Sequence, residues 1–181
     1  MITVKLDVSG LTAGLKRLST DLRSQLAGAV TSAARAGRTD FYRQAQSELH
    51  LRARDIRASQ SIDFIRASPA TLKSTFTPST KSSNMADTGI SWTRPGGLTA
   101  LTHVVTKGSK TFSRGFIIKG KAVHRTGSAR NAIKSLRTTK PSTLMSQEDA
   151  PARIAWETTT TERLNQALPV AVERAIAKAG F

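Results

Sequence analysis

"FSRGFIIKGKAVHRTGSARNAIKSL", residues 112–136, alternates apolar and basic side chains, contains no acid, and changes rhythm halfway along. Its first part, GFIIKGKAVHR, has the period of about two expected of a strand, with Gly120 marking a bulge or turn. In the second part Ala129, Ile133 and Leu136 fall at the spacing of a helical turn. A strand running into a helical spacing predicts a mixed fold, and the flanking sequence decides how strand and helix are distributed.

Upstream, ATLKSTFT begins a meander, PSTKSSNMADTG reads as a loop, and GISWT, LTALTHVVT and GFIIKGKAVHR are separated by the breakers RPGG and KGSK. Short strands between glycine-containing turns predict an antiparallel sheet region over 70–127. At the N-terminus Ile2, Val4, Leu6 and Val8 alternate with polar residues, which predicts a strand over 1–8. Leu11, Leu15, Leu18, Leu22, Leu26, Ala29 and Ala33 then recur near every 3.6 residues, and Phe41, Ala45 and Leu49 continue the stripe. We expect one helix over 11–49, with a kink near Gly37. LRARDIR, after it, reads as a short helix or turn.

Ile154, Leu164, Leu168, Val172, Ala175 and Ala179 predict a C-terminal helix, or a helix pair, over 146–179. Pro151 suits a first turn, Pro169 would kink or split the helix, and Thr159 with Glu162 forms a capping-box pattern that could start a second one. The expected architecture is a single α+β domain over 1–181, in which a small antiparallel sheet is packed by the long N-terminal helix, with a C-terminal helix. Phe116, Ile117 and Val123 are expected in the core.

The 181 residues carry 28 Lys and Arg against 12 Asp and Glu, a formal net charge of +16. Between Phe64 and Gln147 Asp87 is the only acid, so the middle of the chain is strongly basic. That balance favours a polyanionic partner, or assembly beside one. Lys107, Lys110, Lys119, Lys121, Arg125 and Arg130 are the expected contacts to DNA or to an acidic partner, within a wider set that includes Arg114, Lys134, Arg137 and Lys140. Phe112 and Phe116 are the aromatics among them, which points to phosphate attraction without sequence readout rather than to base stacking. The competing reading is a basic face that is merely solvated.

Catalytic chemistry finds little to work with. There is no cysteine, His50, His103 and His124 stand at no metal-ligand spacing, and no nucleophile elbow or P-loop is present. Glu148 and Asp149 read as helix-dipole partners rather than an acid–base pair. An enzyme would need Asp55, Asp63 and Asp87 to converge with a histidine, so a non-enzymatic protein without cofactor or metal is expected. No leader-like N-terminus and no run of about 18 apolar residues occurs, which predicts a soluble, unexported chain without a membrane partner.

The order of elements, and above all GISWTRPGGLTALTHVVTKGSKTFSRGFIIKGKAVHRTG, resembles the minor tail protein Z family of tailed phages, which is related to tail-completion and neck proteins. Gly89-Ile90 resembles the family's Gly-apolar strand start, Gly115-Phe116-Ile117 its Ala-Phe-apolar strand, and Gly120 its turn glycine. Val123 and Arg125 match the apolar and basic residues that follow, and LRARDIR resembles the basic segment after the first helix. Gly115 stands where the family often has Ala, and the tract after Arg125 is richer in Ser and Thr. The resemblance implies a non-enzymatic virion protein that completes or joins the tail at its head-proximal end. It would form a ring of its own copies against other tail and neck proteins, with DNA passing through. Assembly would take place in the host cytoplasm, and the subunit can stay monomeric until a partner nucleates the ring. The rival reading is a free-standing, sequence-independent nucleic-acid-binding protein.

Overall fold

The chain is an α+β protein whose computed structural model describes residues 4–5, 20–49, 64–88, 90–93, 97–101, 109–129 and 132–178. It forms two compact units: Met1–Phe41, Ile62–Pro78 and Arg153–Phe181 in the first, Tyr42–Ser61 and Ser79–Ala152 in the second.

In the first unit, helix α1 (Thr20–Leu49, 30 residues) supplies its N-terminal part and helix α3 (Pro151–Lys178, 28 residues) all but its first two residues. The apolar stripe of α1 does what its spacing predicts. Leu22 and Leu26 pack with Ala171 and Ala175, and Val30 and Ala33 pack with Leu164. These pairings run in opposite chain directions, so the helices are antiparallel. Lys178 Nζ donates to Asp21 Oδ1 at 2.7 Å near one end of the pair, and Thr159 Oγ1 donates to Asp40 Oδ2 at 2.8 Å near the other. Alanine dominates the seam because small side chains let two backbones approach closely.

Gly37 takes that approach furthest. Helix α1 runs unbroken through it, and the glycine is buried. A Cβ there would overlap Thr160 Oγ1 and lie 2.9 Å from the Trp156 carbonyl oxygen, so the missing side chain is what the packing uses. Helix α3 is likewise one helix. Pro169 cannot donate to the Asn165 carbonyl, but both residues are exposed and water can satisfy that oxygen. The alternative start at Thr159 fails because Thr159 lies mid-helix and its hydroxyl is turned to Asp40.

Three short strands complete the first unit: β1 (Val4–Lys5), β2 (Phe64–Ile65) and β3 (Thr75–Phe76), in the antiparallel order β1-β3-β2. Phe76, paired with both Val4 and Phe64, is buried edge-to-face on Phe41 of α1 with ring centroids 5.4 Å apart. Such a pair adds about 0.5–1.5 kcal/mol beyond area burial. Leu72 adopts a left-handed φ of 48° at the end of a turn whose N–H bonds return to Ser68, and the conformation delivers its side chain into the Leu22–Leu26 cluster.

The second unit holds two more antiparallel sheets. One is β4 (Ile90–Thr93), β5 (Gly97–Leu101) and β6 (Ser109–Phe112), and the other is β7 (Gly115–Ile118), β8 (Lys121–Arg125) and β9 (Ile133–Ser135). Strand β9 corrects the helical turn expected from Ala129, Ile133 and Leu136. Val123 pairs with Ser135 and Arg125 with Ile133, so the three-residue spacing is incidental and the edge hydrogen bonds of β8 decide the local conformation. A 3-10 turn, Met85–Asp87, lies within the expected loop. Ahead of it Asn84 organises the sheet, and Ala122 and Leu136 form a small core with Met85, Ala86 and Phe112.

Helix α2 (Pro141–Ser146) buries Pro141, Leu144 and Met145, and its Ser142 N–H donates to the Ser79 carbonyl at 3.0 Å. Also within this unit, the fully buried Glu48 accepts a 2.5 Å hydrogen bond from the Ala152 N–H in the first turn of α3. Ala150, just before that helix, has no side-chain acceptor, so Glu48 serves as a cap from a distant part of the chain. Glu148 and Asp149, the acids read as helix-dipole partners, sit exposed in the turn that leads into α3.

Candidate functional site

The surface that carries most of the sequence-predicted contacts is the β7–β8 hairpin. Ile118 pairs with Lys121, leaving a two-residue loop, Lys119-Gly120, with φ of 47° and 73°. Two positive φ values are what a tight hairpin turn of matching twist requires, so Gly120 is a turn glycine and no bulge. Lys119 adopts the same region without glycine's freedom.

Alternation then sorts the side chains. Phe116 and Ile118 of β7, Lys121, Val123 and Arg125 of β8, and Ile133 and Ser135 of β9 share one face. On it Ile118 is 40% and Ile133 44% exposed, Val123 is buried between Phe116 and Ser135, and the Arg125 guanidinium carbon lies 5.5 Å from the Phe116 ring centroid. Phe116 is therefore a half-buried platform for a cation, not the core residue expected. Ile117, on the opposite face, is 52% exposed, also contrary to expectation, because Met85, Ala86 and Phe112 pack on Ala122 and Leu136 and that small cluster does not extend to Ile117. Val123 is buried as expected.

Of the expected contact residues, the hairpin brings Lys119, Lys121 and Arg125 onto one element, and all three are exposed. Lys110 lies on β6 in the other sheet of this unit, and Lys107 and Arg130 fall outside the described residues. Arg114 was among the basic residues but not among the expected contacts, and Ser128 and Gly127 carried no signal of charge. Together with Gly115, Phe116 and Arg125 they line a pocket of about 440 Å³ at the open end of the hairpin. A signal was present in the register: once Gly120 is read as the turn, counting back along both strands places Arg114 opposite Arg125.

Among the described residues no three His, Asp or Glu side chains gather as metal ligands, and no helix is long and apolar enough to cross a membrane. His124 is half-buried on β8 opposite Gly115 and Lys134, and Asp87 lies in the 3-10 turn. His50, His103, Asp55 and Asp63 lie outside the described residues. The fold and this surface define a basic α+β protein with an exposed, cationic and partly apolar hairpin. Comparison with family models, with curated proteins and with solved structures returned no match.

Proposed function

We propose that the chain is a structural virion protein of a tailed phage or prophage, a minor tail or tail-completion protein at the head-proximal end of the tail. It acts by ring assembly of its own copies and by joining neighbouring tail and neck proteins, without enzymatic activity, and works in the virion after assembly in the host cytoplasm. The observation that carries this reading is the β7–β8–β9 sheet. Large apolar side chains stand exposed on it: Ile118 and Ile133 on one face beside Lys121 and Arg125, and Ile117 on the other, which also carries Lys134. Water-exposed isoleucines grouped on one small sheet favour a surface that a protein neighbour covers. The interleaved cations suit a neighbour or channel content of opposite charge. The resemblance of residues 89–127 to the tail family points the same way.

The test is mass by light scattering over a concentration series, for the wild-type chain and for the double variant Ile118→Asp/Ile133→Asp, whose two positions share one face. The proposal expects wild-type mass to climb to a closed multiple of the subunit and the variant to remain at single-chain mass. A wild-type chain that stays single at all concentrations and binds duplex DNA tightly would overturn it. That outcome would favour a free-standing nucleic-acid-binding protein, the reading to which the arginine-lined pocket lends support.

A further inference from the structure

We infer that the pocket between Arg114 and Arg125 is a phosphate site, taking one phosphodiester group of a nucleic-acid backbone. The assignment narrows the DNA contact in the function proposed above and rests on that part of it. Its starting point is a local conflict. The β7–β8 register pairs Gly115 with His124, and the Arg125 N–H donates to the Arg114 carbonyl at 3.1 Å, so the two arginines are direct cross-strand neighbours. Like charges directly opposite each other destabilise an antiparallel pair. Among the described residues no carboxylate pairs with either guanidinium. An anion between them removes the repulsion and engages two planar forks suited to bidentate contact with phosphate oxygens.

The rest of the pocket suits the same ligand. Gly127 and Ser128 line it at the end of β8, and among the described residues no hydrogen bond engages their amides or the Ser128 hydroxyl. Gly115, without a side chain, also lines it. Phe116 holds Arg125 in place by cation–π contact, which leaves that ring face closed to a stacking base. The pocket therefore reads phosphate and not sequence. Lys121 shares the face of Arg125 four residues along β8, about 13 Å away, far enough to reach a different phosphate of the same backbone. Basic side chains at both ends let the hairpin follow a backbone rather than hold a single free anion.

The experiment is fluorescence anisotropy of a labelled duplex of random sequence against the full chain, across a salt series. It uses wild type, Arg114→Gln/Arg125→Gln, and the charge-matched control Arg163→Gln/Arg174→Gln, both of whose arginines are exposed on α3. The pocket variant is expected to bind at least about tenfold more weakly at low salt, with a log–log salt slope smaller by about 1.8, two contacts at 0.9 each. The control should stay close to wild type. Phe116→Leu, which keeps every charge, should weaken binding about two- to fivefold with the slope unchanged. Equal losses in the pocket variant and the control would overturn the site in favour of diffuse attraction. Absence of wild-type binding would overturn it outright. Light scattering on the same samples reports assembly separately, so loss of the site leaves the ring proposal standing and loss of the ring leaves the site standing. Inorganic phosphate at constant ionic strength, followed by the amide NMR shifts of Gly127 and Ser128, completes the test. Shifts in wild type that vanish in the pocket variant are expected, and their absence in wild type would overturn the site.

Discussion

The side-chain amide of Asn84 closes a two-bond ring with Ala122: Oδ1 accepts from the Ala122 N–H at 2.7 Å, and Nδ2 donates to the Ala122 carbonyl at 3.0 Å. The same amide accepts from the Ala86 N–H at 2.9 Å and donates to Ser135 Oγ at 2.9 Å, so all four of its hydrogen-bonding positions are used. The reason lies in the departure of the chain after β9. The Leu136 N–H still donates to the Ala122 carbonyl, but the Leu136 carbonyl accepts from Met85 instead, and Asn84 fills the vacated place on β8. A side chain thus continues a strand edge that backbone no longer reaches.

Replacing Asn84 by Ala should leave the Ala122 N–H unpaired in a buried position. The expected loss is about 2–3 kcal/mol, the cost of an unsatisfied buried donor together with the lost bonds of its neighbours. Urea unfolding monitored by circular dichroism checks it. A loss under about 0.5 kcal/mol would mean that water replaces the amide without penalty.

Two glycines on α1 should respond with opposite signs to the same change. Gly28 is exposed, and a Cβ there meets nothing within 4 Å, so Gly28→Ala should stabilise the protein by roughly 0.5–1 kcal/mol through helix propensity. Gly37→Ala gains the same propensity, but its methyl would press on the Trp156 backbone and on Thr160, and overpacking of that kind costs about 1–3 kcal/mol. Thermal melts of the two variants compared side by side decide it. A gain at both positions would show that the helix pair separates freely.

Glu48 makes stability depend on pH. Burial away from water pushes its carboxyl above the ordinary range, and the Ala152 N–H opposes that only in part. The folded chain therefore holds this proton more tightly than the unfolded chain does. Its stability contribution is complete below the unfolded pKa and is lost as pH rises through the folded one. Glu48→Gln retains an acceptor for Ala152 without the charge. Its stability relative to wild type should rise from about pH 4 towards neutrality, through the range in which an unperturbed glutamate ionises while the buried Glu48 still holds its proton. Denaturant midpoints of both proteins over that range measure the difference, and a constant difference would contradict it. Glu48→Ala, which removes the acceptor, should cost about 1–3 kcal/mol.

Lys119 occupies the first position of the hairpin loop in a left-handed conformation. Asparagine tolerates that region far better, so Lys119→Asn should stabilise the chain by about 0.5–1 kcal/mol through the favoured Asn-Gly turn. A raised melting temperature is the expected result, and a lowered one would place a different turn at the tip of the hairpin.

Periodicity alone determined the mixed fold class, the apolar stripe of α1, the strand in GFIIKGKAVHR and a C-terminal helix, though not its start at Pro151, because each depends on neighbours a few residues apart. The basic character of the middle of the chain was legible for the same reason: charge is counted without knowing where it points. What needed tertiary structure was every property set by a partner far along the chain. Gly37 looked like a weak point because its packing against Trp156 and Thr160 lies more than a hundred residues away. Ile133 looked helical because a three-residue spacing is ambiguous until β8 claims the segment as an edge strand. Phe116 and Ile117 looked like core because alternation gives the faces of a strand but not which face is covered. Arg114 became part of a site only through strand register, which sets two arginines side by side and leaves their charges for an anion to balance.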